Sequence, residues 1–195
     1  DKDGELIQRH KQRSHSWTRN AYNIMFCQLA GKDGDDVTFG AGKLCFKKTT
    51  GAIDGDDRPC LIGDATVDAT TYGYRAAAGI VTRGILVGQG EDAESFEDYV
   101  LQTPILEGTG ANQLNHVTSE AHAISYAALT LKNELVRYFN NNSGGDIDVN
   151  EVALVTNYIS SYCALTSRDK LASTVTIPST GQLKVTYTIQ LTYPA

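Results

Sequence analysis

Four charged residues stand within or beside apolar, strand-like runs: Arg137, Glu151, Arg168 and Asp169. An ionised group there is costly to bury unless it is paired. They read as salt bridges that fix a corner or a strand register. A charge pair across a subunit interface is the sharper alternative. His116 and His122 lie near Ser119, Glu120 and Ser125, but a nucleophile needs an adjacent base and a third group to orient it. No Gly-x-Ser-x-Gly elbow is present, and such neighbours arise often by chance. No catalytic residue is assigned, and the chain reads as a non-enzyme.

Other motifs fall short in the same way. Gly40-Ala41-Gly42-Lys43-Leu44 resembles a phosphate loop, yet Leu44 stands where the magnesium-binding hydroxyl belongs and no helix pattern follows. Asp33, Asp35 and Asp36, then Asp54, Asp56 and Asp57, gather oxygen ligands. Asp146 to Glu151 alternates carboxyl and amide groups. Calcium is the ion these clusters would take, but it needs six to eight oxygens around a tight turn. None of the three has that loop spacing, so solvated turns or strand faces are the better reading and no cofactor is assigned. Cys27, Cys45, Cys60 and Cys163 form no C-x-x-C pair, which argues against zinc or redox chemistry. They read as buried small hydrophobes, with a Cys45–Cys60 disulfide as the alternative.

The basic stretch Arg9-His10-Lys11-Gln12-Arg13-Ser14-His15, with Arg19, reads as a solvated arm or a docking segment. Arg9, Arg13, Trp17 and Arg19 are the residues expected to touch a partner. The formal net charge of −6 argues against nucleic acid as the main ligand, because phosphates require neutralising cations. No run of 18 apolar residues exists to span a membrane, and no signal-peptide pattern is visible.

These groups must be held by elements that the patterning foretells. Residues 1–13 are a polar arm, and residues 14–195 a single domain. A helix is expected over about 14–30, capped by Ser14 or Ser16, with Trp17, Ala21, Ile24 and Gln28 at helical spacing and Gly31 at its end. Short strands separated by turns follow, one over 37–48 and one over 79–88 with a glycine break. Residues 64–78 read as a long loop, and 91–99 as an acidic loop. Residues 118–139 fit a helix face or a strand face. The turn Asn140-Asn141-Asn142-Ser143-Gly144-Gly145 before the strand-like 147–152 makes a hairpin and favours the strand. The least ambiguous element is the last. Leu183, Val185, Tyr187, Ile189, Leu191 and Tyr193 alternate with polar residues at period two, and 174–177 with the turn at 178–181 would complete a second hairpin. The fold class expected is mainly β: an antiparallel, jelly-roll-like β-sandwich with one N-terminal helix and an extended N-terminal arm.

Three segments carry a resemblance. They are Ser16-Trp17-Thr18-Arg19-Asn20-Ala21-Tyr22-Asn23, the run from Arg137 to Gly145 continued through Val149-Asn150-Glu151-Val152, and Ser167-Arg168-Asp169 through the closing Leu-Thr-Tyr-Pro. Together they resemble tailed-phage and metagenomic virion proteins of tail, neck, decoration or fibre type. Ala153 departs from that pattern, where a glycine is expected. The resemblance implies a particle component made in a host cytoplasm and carried in the virion. Its partners would be copies of itself and other virion proteins. It brings no catalytic residue. A sandwich that binds carbohydrate or a host surface is the alternative function.

Overall fold

The computed structural model describes residues 5–14, 17–30, 46–54, 73–159 and 162–192. Within them lie helix α1 (Arg19–Ala30) and strands β1 (Phe46–Lys47), β2 (Ile53–Asp54), β3 (Gly84–Gly88), β4 (Leu106–Glu107), β5 (Gln113–His116), β6 (Ala123–Ala127), β7 (Thr130–Asn140), β8 (Ile147–Ile159), β9 (Tyr162–Ile177) and β10 (Gln182–Thr192). The chain is mainly β, and its two larger sheets pack face to face as a sandwich. One sheet runs β10-β7-β5-β4, with β6 also on β7. The other runs β3-β8-β9. Pairing is antiparallel except between β4 and β5.

The C-terminal alternation forms a strand, but neither expected hairpin exists. β10 pairs with β7, from Gln182 opposite Asn140 to Thr192 opposite Thr130. β8 pairs with β9. The connections 141–146 and 178–181 therefore cross from one sheet to the other as arches. Asn141 holds both. Its Nδ2 donates to the carbonyls of Gly145 and Ile177, its N–H donates to Gly181 O, and its carbonyl accepts from Thr180 N. With these bonds made inside the arch, Asn141 is fully buried.

Residues 118–139 resolve into strands, as the hairpin pattern favoured, but into two of them. β6 and β7 meet at Ala128 and Leu129, whose φ values of 46° and 66° match the two-residue turn that follows strand twist. Helix α1 starts at Arg19, five residues later than the expected start at 14. Thr18 O accepts from Ala21 N and Tyr22 N, so Thr18 is the capping position, and Ser14 bonds elsewhere. Gly84–Gly88 is the strand part of 79–88. The expected strand over 37–48 is described only at Phe46–Lys47. Gly31, Cys45, Cys60, most of the 64–78 loop and most of the two N-terminal Asp clusters lie outside the described residues.

Ile85, Val87, Leu114, Leu135, Phe139, Ile147, Val149, Val152, Leu154 and Ile177 form the core between the sheets. A register shift between Val149 and Glu151 marks a bulge, and it moves the core-facing residues of β8 from odd to even numbers. Glu151, Ala153 and Val155 are thereby placed on the outer face. That face is also covered: Leu86, Leu101, Ala153, Val155, Cys163 and Leu165 form a second cluster. Phe46, Tyr158 and Ala164 form a third, against Ile24 of α1. The β3-β8-β9 sheet is thus buried on both sides.

Candidate functional site

Arg168 and Asp169 are neighbours in mid-strand rather than at a corner, so their side chains leave β9 on opposite faces. Arg168 Nε donates to Glu151 Oε2 at 2.7 Å. Its other nitrogens donate to Asp98 Oδ2 and to the carbonyls of Ala93 and Asp92. Burial pulls its pKa down, but the bonds to Glu151 and Asp98 outweigh this and raise it. Asp169 Oδ2 accepts from Tyr187 Oη of the facing sheet at 2.8 Å, and from Ser167 and Ser14 hydroxyls. Burial beside Asp169 pushes the Tyr187 pKa well up.

Arg137 is fully buried yet meets no carboxylate among the described residues. Its fork is filled by the carbonyls of Val117, Arg83, Ile85, Ala77 and Ile80. Burial lowers its pKa to about 10. It organises the loop before β3. His116 lies next to it, edge-on to Phe139 at 5.0 Å between ring centres. Both its ring nitrogens are buried, and neither meets a side-chain hydrogen-bond partner among the described residues. Burial, helped by the Arg137 charge, lowers its pKa to about 4. His122 bonds Asn133 instead, on β7, so the two histidines do not converge on one centre.

A shallow cavity of about 250 Å³ opens beside Arg168, lined by Asp92, Ala93, Asp98, Tyr99, Val100 and Gln102. Four of the five N–H groups of Arg168 are already committed. Among the described residues, no group of three His, Cys, Asp or Glu could hold a metal. No family model, curated protein or solved structure matches the chain.

Two surfaces stand out instead. The first is the outer edge of β9. Such an edge bares main-chain donors and acceptors to any incoming strand. Here residues 5–14 run beside it. Gln8 Nε2 donates to Thr174 O and its Oε1 accepts from Thr176 N. Gln12 repeats the pair on Lys170 O and Ala172 N. Each carboxamide thus makes the two bonds that a neighbouring strand would make. Further along, Thr18 N donates to Thr166 O, and Trp17 bridges Ser167. Of the residues expected at an interface, Arg9 and Arg13 point outward, Trp17 is 37% exposed, and Arg19 pairs with Glu97 at 3.3 Å.

The second surface was not singled out from sequence. β6, β7 and β10 continue past the second sheet, and their core-side face emerges uncovered. Tyr126, Leu131 and Leu191 form one cross-strand row. Ile124, Tyr126 and Leu191 are 64%, 71% and 67% exposed, with Leu129 at the tip also exposed. The period-two pattern that marks β10 contains Leu191, but pattern alone does not say where the facing sheet stops.

Proposed function

We propose that this chain is a non-enzymatic structural protein that assembles with copies of itself, in a particle of the tailed-phage type. The apolar overhang of β6, β7 and β10 carries this reading. Ile124, Tyr126, Leu129, Leu131 and Leu191 are 64%, 71%, 46%, 45% and 67% exposed, which leaves on the order of 500 Å² of apolar surface for side chains of this size. The largest patch on a typical monomer, about 300–600 Å², is often functional, and a standard interface buries about 800 Å² per partner. Patch against patch, two copies would approach that size. Leu129 strengthens the reading. It holds a left-handed backbone at an exposed turn, where Asn-Gly is the favoured pair. A leucine that costs backbone strain and meets solvent in the single chain gains its use when a second chain covers it. The resemblance of the C-terminal half to virion proteins points to the same class.

Native mass spectrometry and negative-stain images of the full chain test this. Dimers or larger regular assemblies are expected, and Leu131→Lys with Leu191→Lys should reduce them to smaller species while the chain stays folded by circular dichroism. A wild-type chain that stays monomeric at every concentration reached would overturn the proposal, as would variants that assemble equally well.

A further inference from the structure

The arm alternates as an extended chain must. Gln8, His10, Gln12 and Ser14 all bond β9. Arg9, Lys11 and Arg13 are all exposed, and none meets a carboxylate among the described residues. They form a comb of three cations spaced about 6.5–7 Å apart, two strand residues per tooth. An acidic loop abuts this comb. Glu91, Asp92 and Glu97 are exposed in it, and Glu94 is half-buried. The two meet at Lys170, whose N–H donates to Glu94 Oε1 at 2.9 Å and whose carbonyl accepts from Gln12 at 2.8 Å. Phe96 of the loop and Tyr22 of α1 pack ring to ring at 5.7 Å and are each about half exposed.

We propose that this edge is a second self-docking surface, on which the Arg9-Lys11-Arg13 comb of one copy lies on the Glu91-to-Glu97 loop of another. Cations and anions sit side by side along one edge, so a two-fold axis near Lys170 brings each onto its opposite, twice per dimer. That is the self-complementarity an isologous contact requires. Phe96 and Tyr22 supply an apolar centre of the kind that anchors interfaces. A polyanion such as nucleic acid fits less well, because the acidic loop lies where its phosphates would continue and the whole chain carries −6. The inference rests on the assembly reading only in taking a second copy as the partner.

The test uses the full chain carrying Leu131→Lys and Leu191→Lys, so that the overhang is silent. Sedimentation should show a dimer whose dissociation constant rises at least about tenfold between roughly 0.05 and 0.5 M salt. Arg9→Glu with Arg13→Glu should abolish it, and so should Glu91→Lys with Glu97→Lys. Mixing the two reversed chains should restore a heterodimer, a result that misfolding does not produce. A salt-insensitive monomer, or failure of the mixed chains to pair, would overturn the inference while leaving assembly through the overhang intact. Salt-dependent binding of a DNA duplex in place of dimers would overturn it too. Conversely, a dimer here with no role for Leu131 and Leu191 in the wild type would sink the overhang reading alone.

Discussion

Glu151 and Arg168 meet at 2.7 Å with neither side chain open to water, and through them a whole loop is tied to the sheet. Glu151 Oε1 accepts from Gly90 N and Thr103 N, while Oε2 accepts from Gln102 N and Arg168 Nε. Both ends of the loop at 89–104 thus hang on one carboxylate, and its middle hangs on Arg168 through Asp92, Ala93 and Asp98. Main-chain donors that would otherwise be buried unpaired are satisfied there.

Glu151→Gln should therefore cost about 3–5 kcal/mol, the range for breaking a buried pair. The amide NH2 would face two N–H donors whichever way it turned. Gly90→Ala attacks the same knot from the other side, since its methyl would sit 2.6 Å from Glu151 Oε1. Urea unfolding should show both losses. Arg19→Ala is the control. Its pair with Glu97 is exposed on both partners, and its removal should cost less than about 1 kcal/mol.

His116 makes stability depend on pH. Its folded pKa of about 4 lies below the ordinary 6.5, so between these values the unfolded chain takes a proton that the folded chain refuses. Its contribution is complete above pH 6.5, is lost as pH falls toward 4, and levels off below. Burial is the main cause, and the facing Arg137 charge adds to it, while Glu107 opposes it. The loss amounts to about 3 kcal/mol. Thermal melts of His116→Leu should be flatter than wild type across that window. Equal slopes would mean that another group sets the pH dependence.

The sandwich was legible because period two over 183–193 allows one apolar face and one polar face. The buried charges were legible too, because Arg137, Glu151, Arg168 and Asp169 interrupt apolar runs. What they bond was not. Arg137 takes carbonyls from a loop far away in sequence, and Glu151 faces outward only because a bulge at Asn150 shifts the phase of β8. The arches escaped for a related reason. A turn rich in Asn and Gly looks the same whether the chain returns to its own sheet or crosses to the other. The alternation Gln8-His10-Gln12-Ser14 against Arg9-Lys11-Arg13 was in the sequence, but it has no apolar face, so the usual signal of a strand was silent.

The strained turn offers a separation of stability from assembly. Ala128 and Leu129 hold φ values of 46° and 66°, a conformation that costs L-residues about 1–2 kcal/mol each. Replacing the pair by Asn-Gly should stabilise the isolated chain by about 1–2 kcal/mol in denaturant. The same change removes the Leu129 side chain and should weaken self-association. A more stable protein that assembles less well is the expected pair of results. Assembly unchanged by the swap would take Leu129 out of the contact.

The arm gives the last prediction. Gln8 and Gln12 hold it to β9 by four carboxamide bonds, all of them exposed, each worth about 0.5–1.5 kcal/mol at most. Gln8→Ala with Gln12→Ala should leave the core intact, so the melting temperature should barely move. The arm should then come away. Trypsin should cut after Arg9, Lys11 and Arg13 much faster than in wild type, and the bared N–H and C=O groups of residues 170–176 should make the double variant prone to edge-to-edge association. Glu at both positions should be worse than Ala. A carboxylate can still accept from Ala172 N and Thr176 N, but it turns its second oxygen toward the carbonyls of Lys170 and Thr174, where the amide now donates. Cleavage as slow in the variants as in wild type would show that the arm is held by something other than these two side chains.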